Sequence, residues 1–147
     1  MRNINKVVLH CSATKEGVEI SKETITKWHR ERGFRTIGYH YLIHLDGTVE
    51  EGRKEIEVGA HVTGQNSYSI GICYIGGLDE KGKPKDTRTE KQKESLFELV
   101  KDILDRYKLK LEDVYGHYQF ANKACPCFKM EEFYKEYIEY IQKKYFY

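Results

Sequence analysis

At 147 residues, with 39% apolar and 33% charged positions, the chain has the length of one domain and the composition of an ordinary globular protein, not of a disordered or fibrous one. The net charge of +2, with Lys and Arg interleaved among Asp and Glu, offers no basic stripe and argues against nucleic acid as a partner. No apolar run reaches the roughly 18 residues of a spanning helix, so no membrane insertion is expected.

The stretch Met1 to Lys6 is polar and leads directly into Val7-Val8-Leu9, so no secretory signal is expected and the chain reads as cytoplasmic on synthesis. Lys6 to His10 reads as a buried strand. Ser21 is a candidate N-cap for a helix running through Ile25 and Trp28 to about Arg32, closed by Gly33. Tyr39 to Leu45 reads as a strand, Asp46-Gly47 as a hairpin signal, and Thr48-Val49 as the start of the return strand. Ser69 to Ile75 is a further apolar strand, ended by Gly76-Gly77.

Leu78 to Arg88 is a charged loop. Thr89 with Gln92 then forms a capping box, and Leu96, Leu99, Val100, Ile103 and Leu104 recur behind it at helical spacing. Val114-Tyr115 reads as a short edge strand, and Met130, Phe133, Tyr134, Tyr137, Ile138 and Ile141 mark a C-terminal amphipathic helix. Pro84 and Pro126 are the only prolines, and there is no internal repeat or low-complexity segment. The expected fold is therefore a single α/β domain over residues 1–147, with a central mixed β-sheet flanked by helices.

Three positions stand out chemically. His10 ends the first strand beside Cys11 and Ser12, His117 follows Gly116, and Cys125 lies in Lys123-Ala124-Cys125-Pro126. Two imidazoles and a thiolate suit zinc and leave one coordination position open for water, as in catalytic rather than structural sites. Spacing alone does not choose this reading, because the positions match no compact metal motif. Taken singly, a strand-end His is as readily a satisfied core residue, and a Cys a small buried hydrophobe. The four cysteines read as free thiols or metal ligands rather than disulfides.

A series of motifs in order along the chain narrows the choice. Val8-Leu9-His10-Cys11-Ser12-Ala13-Thr14 resembles the opening strand of the amidase-type phage lysozymes, part of a larger family that includes the peptidoglycan recognition proteins. The resemblance continues through Trp28-His29, Gly38-Tyr39-His40-Tyr41, Asp46-Gly47-Thr48-Val49-Glu50 and Gly52-Arg53. Val58-Gly59-Ala60-His61, Gly64-Gln65-Asn66, Ser69-Ile70-Gly71-Ile72, Gly76-Gly77 and Lys123-Ala124-Cys125-Pro126 complete it, covering nearly the whole chain.

What this resemblance implies is a zinc-dependent N-acetylmuramoyl-L-alanine amidase acting on peptidoglycan or muropeptides as a monomer. His10, His117 and Cys125 match the zinc ligands, Tyr39 and Lys123 the catalytic tyrosine and lysine, and His61 and Asn66 residues lining the peptide groove. Lys123 would stabilise the oxyanion that forms on the lactyl carbonyl, and Tyr39 would orient the attacking water or relay a proton to it. Without the resemblance, Tyr39 reads as a core-packed strand aromatic, and Lys123, His61 and Asn66 as loop polars. Alternation puts His40 on the face opposite Tyr39, as a core group or a support to the ligands, while His29 and His44 read as structural or exposed.

Two departures from the pattern matter. Many relatives carry Arg-Asp after the downstream histidine, whereas this chain reads His117-Tyr118-Gln119. Cys127, two residues past Cys125, could compete for metal or oxidise, against the plainer reading of a free thiol. Three other functions are the rivals: a non-catalytic peptidoglycan-binding module, against which the retention of Cys125 with His10, His117, Tyr39 and Lys123 argues, a cytoplasmic muropeptide-recycling amidase, or a protein-binding protein. The last would use the helix bearing Tyr134, Tyr137, Tyr140, Tyr145 and Tyr147, for which core packing is the first expectation. The missing signal suits equally a phage- or prophage-type lysis enzyme, which reaches the wall after a membrane-permeabilising partner opens a path, and a recycling amidase acting on cytoplasmic muropeptides.

Overall fold

The computed structural model describes residues 2–146. Met1 and Tyr147, the last of the helix tyrosines named above, lie outside the described residues. Ten regular elements follow in chain order: β1 (Lys6–Cys11), β2 (Thr14–Lys15), α1 (Lys22–Glu31), β3 (Tyr41–Ile43), β4 (Val49–Glu51), β5 (Ser69–Tyr74), β6 (Gly77–Leu78), α2 (Glu90–Tyr107), β7 (Val114–Gly116) and α3 (Met130–Tyr145). The main sheet has five strands in the order β4-β3-β5-β1-β7. The β1–β5, β1–β7 and β3–β5 pairs are parallel, and β3–β4 is antiparallel. Strands β2 and β6 form a separate parallel pair beyond the C-terminal ends of β1 and β5. The α/β domain with a mixed central sheet is thus present.

Strand alternation sorts side chains to the two faces. Val7, Leu9 and Cys11 of β1 and Ile70, Ile72 and Tyr74 of β5 pack against Leu96, Phe97, Val100 and Ile103 of α2 and Phe133 and Tyr137 of α3. On the opposite face Leu42, Cys73 and Ile75 meet Ile25 of α1 and Ile37. His10, out of phase with Leu9 and Cys11, therefore points to the α1 face, opposite Cys73 of β5 in register.

The helix signals act where expected. The Ser21 hydroxyl accepts from the Thr24 amide at 3.1 Å, and Thr89 and Gln92 cap α2 reciprocally at 3.0 and 2.9 Å. Gln92 also docks the helix on the sheet: its buried amide donates to the carbonyls of Ile43 and Ile75 at 3.3 and 3.0 Å. The predicted strand from Tyr39 to Leu45 is shorter, Tyr41–Ile43, although backbone bonds continue outward from it through Gly52 N to His40 O and Arg53 N to Tyr39 O. The hairpin turn spans residues 44–48, with Gly47 at φ 89° and Asp46 Oδ1 accepting from the Thr48 amide. The α3 tyrosines are engaged internally: Tyr134 donates to Val114 O, and Tyr140 and Tyr145 donate to Glu98. This matches the core-packing expectation.

Candidate active site

The parallel register brings the C-terminal end of β1 beside the segment following β7, and so assembles residues distant in sequence. His10 is 2% exposed. Its Nδ1 lies 3.2 Å from Nδ1 of His117, in the turn after β7, and 3.9 Å from Sγ of Cys125. One ligand-capable atom from each of His10, His117 and Cys125 lies within 4.8 Å of the others. Gly116 lets the Tyr118 ring and Pro126 pack against the strand end that leads into His117, since a Cβ there would strike them at 2.8 and 3.0 Å. The backbone amide of Cys11 donates to Cys125 Sγ at 3.2 Å, tying the thiol to the strand end.

A cavity of about 410 Å³ opens over this cluster, lined among others by Arg32, Phe34, Tyr39, His61, Asn66, His117, Lys123 and Cys125. No carboxylate lines it, while Arg32 and Lys123 do, so the opening carries positive charge. A hollow of about 560 Å³ on α1 is walled only by that helix's own polar side chains, such as Lys27 and Arg30, and offers no imidazole or thiol.

Tyr39 stands beside His10, with ring centroids 5.1 Å apart, and on its other side meets His29 at 5.2 Å. Burial pushes its phenol well above the usual range, with the neighbouring thiols of Cys73, Cys125 and Cys11 adding to the effect. Tyr39 therefore keeps its proton at neutral pH. Burial holds His10 and His61 well below the ordinary histidine range, and lowers His117 with help from the charges of Lys123 and Arg32. These imidazoles are neutral at pH 7, so those of His10 and His117 can each offer a ring lone pair to a cation. Hydrogen bonding to Cys125, with burial adding, pushes Cys11 up to about 12, so Cys11 stays a thiol.

The remaining predicted residues occupy definite places. His61 lines the cavity, but its ring turns inward, with Nδ1 2.8 Å from His10 Nε2. Asn66 also lines the cavity, and its Oδ1 accepts from the backbone amides of His61 and Val62 at 2.8 and 2.9 Å. Lys123 is exposed at the cavity wall. His40 is fully buried, takes the Gly71 amide on Nδ1, and lies with Nε2 2.8 Å from Glu57 O and its ring against His61. His29 accepts from Gly38 N, and His44 bridges Glu19 and Glu50. Gln119 accepts from Gly116 N at 2.9 Å, a local cap rather than a contact to His117. Cys127 lies 3.7 Å from Cys11 Sγ, outside the His-His-Cys cluster. The contact between His61 and His10 is not visible in spacing, because the two positions are 51 residues apart and meet only through the sheet.

Residues 1–128 match the family described as N-acetylmuramoyl-L-alanine amidase. The endolysin of Escherichia phage T7 is 40% identical over 130 residues, covering 88% of this chain and 85% of its own. The solved N-acetylmuramoyl-L-alanine amidase LysC from Clostridium intestinale superposes with a TM-score of 0.79 at 29% identity, over 92% of this chain and 85% of that one. A solved complex of tracheal cytotoxin with the ectodomains of peptidoglycan recognition proteins LCa and LCx aligns with a TM-score of 0.70 at 34% identity, over 99% of this chain and 84% of that one. The chain therefore belongs to the N-acetylmuramoyl-L-alanine amidase family, enzymes that hydrolyse the amide joining sugar to stem peptide in bacterial peptidoglycan.

Proposed function

We propose that the chain performs this hydrolysis as a zinc enzyme of the phage lysis type, with His10, His117 and Cys125 holding the ion and Tyr39 and Lys123 serving the reacting amide. The observation that carries the reading is the spacing of the three donor atoms. A tetrahedral zinc with its usual bond lengths sets its nitrogens about 3.3 Å apart and nitrogen and sulfur about 3.6 Å apart. Here His10 lies 3.2 Å from the His117 nitrogen and 3.9 Å from the Cys125 sulfur, with all three donors within 4.8 Å of one another. Neutral imidazoles beside a thiol are also the donor chemistry zinc prefers.

Bound zinc supplies a water acidic enough to ionise near neutral pH and polarises an amide carbonyl. The protein's own groups do the rest. Lys123, at the open wall, places an ammonium where negative charge develops on the lactyl carbonyl oxygen. Tyr39, whose ring centroid lies 5.1 Å from that of His10, would orient the water or relay a proton to it. The carboxylate-free mouth favours an acidic stem peptide over a basic one. Peptidoglycan or a soluble muropeptide is the partner this chemistry suits. No helix among the described residues is long and apolar enough to cross a membrane.

The test is hydrolysis of purified muropeptides, read by mass spectrometry, with native, chelator-stripped and zinc-restored protein. Release of the intact stem peptide, abolished by stripping and regained with zinc, is expected. Binding without cleavage by zinc-loaded protein would instead mark a recognition module. Lys123→Ala is expected to lower kcat by about 10²- to 10³-fold with zinc still bound; near-normal turnover would remove Lys123 from the chemistry.

A further inference from the structure

We propose that His61 is a positioning residue for His10: a one-way hydrogen-bond chain, anchored on a backbone carbonyl, presents the bare Nδ1 of His10 to the metal. The inference rests on reading His10, His117 and Cys125 as the ligand set.

The direction follows from the far end. The carbonyl of Gln65 can only accept, and the Ser69 hydroxyl, 2.8 Å away, donates its single proton there. Ser69 Oγ is then left to accept from His61 Nε2 at 3.2 Å, which places the His61 proton on that nitrogen. His61 Nδ1 is consequently bare and accepts from His10 Nε2 at 2.8 Å. With its proton on Nε2, His10 turns an unprotonated Nδ1 toward His117 and Cys125. The required tautomer is thus set by a peptide carbonyl three links away, without reference to the ion. A ligand histidine whose second nitrogen is committed in this way keeps both its orientation and its basicity.

Two glycines leave room for this ring. A Cβ on Gly71 of β5 would lie 2.7 Å from His61 Cγ and Cδ2, and one on Gly59 would lie 2.8 Å from Cδ2. Both are closer than packed carbon atoms approach, so glycine at these two positions opens the slot. Asn66, by accepting the His61 and Val62 amides, fixes the turn that carries the ring, and Gln65 of the same turn ends the chain. The ring and its anchor therefore move together.

The experiment compares wild type with His61→Leu, His61→Gln and Ser69→Ala. Each is measured for zinc per chain, for zinc dissociation constant by competition with a chromophoric chelator, and for the absorption spectrum of the cobalt(II) form. Circular dichroism and thermal midpoint before metal addition report folding. Wild type is expected to bind one zinc, and His61→Leu to bind it about 10- to 100-fold more weakly with an altered cobalt spectrum. His61→Gln, whose side-chain oxygen can accept from His10 Nε2, is expected to recover most of the affinity. Ser69→Ala, which keeps the ring, is expected to show a smaller loss in the same direction and decides the matter if His61→Leu does not fold. A folded His61→Leu with wild-type affinity and spectrum, or unchanged affinity in Ser69→Ala when the leucine variant fails to fold, overturns the positioning role. Wild type that binds no zinc overturns the ligand reading itself and this inference with it.

Discussion

Replacing Glu55 with Gln tests how the loop leading to the site is held. The Glu55 carboxylate accepts from Arg106 Nη1 and Nη2 at 2.9 and 2.7 Å and from the hydroxyls of Tyr41 and Tyr107. Its carbonyl takes Arg2 Nε at 3.0 Å, and Arg2 reaches on to Ser69 O and His40 Nε2. Burial by itself would raise the carboxyl, but the hydrogen bonds from Arg106, Tyr107 and Tyr41 outweigh it and bring the pKa from 4.5 to about 2. That fall corresponds to about 3 kcal/mol in favour of the folded, ionised state. Because Arg106 is 43% exposed, solvent screening reduces this to about 2 kcal/mol. A carboxylate with a depressed pKa contributes fully above its unfolded value and loses that contribution as pH falls through the folded one. Glu55→Gln should therefore lower the urea midpoint by about 1 M at pH 7. The gap should narrow between pH 4.5 and pH 2, following the shift in this group. Urea unfolding followed by circular dichroism at several pH values measures it. Equal midpoints at pH 7, or a gap undiminished near pH 2, would refute the reasoning.

Two further outcomes concern other parts of the fold. Gln92→Leu strips the buried carbonyls of Ile43 and Ile75 of a donor and Thr89 N of its acceptor. It should cost about 3 kcal/mol, seen by calorimetry as a fall in Tm of about 10 °C, with zinc affinity unchanged in the folded protein. Cys127→Ser should retain one zinc per chain and full activity, because Cys127 faces Cys11 and stands outside the ligand cluster; loss of zinc by this variant would place Cys127 in the metal site.

The helix caps at Ser21 and Thr89, the turn at Asp46-Gly47 and the apolar runs of β1 and β5 were legible because each depends on residues within a few positions of one another. The paired short strands β2 and β6 were not, since two-residue ladders carry no periodicity of their own. The grouping of His10, His117 and Cys125 was legible as chemistry and through family resemblance, but not through spacing, because the residues lie on separate segments of the chain. The bond of His61 to His10 was not legible, because the two positions are 51 residues apart.

Local physical chemistry in the sequence thus determined the three helices and the longer strands, β1 and β5. Tertiary structure alone decided the pairings that give the site its character. The parallel register of β1, β5 and β7 sets His10 beside His117, and the side-chain-free positions Gly59 and Gly71 admit the His61 ring behind it. Glu55, in the loop after β4, finds Arg106 and Tyr107 at the end of α2 only because that helix lies across the sheet. Such contacts join positions 50 or more residues apart. Their partners are selected by strand order and helix docking, and short-range pattern encodes neither.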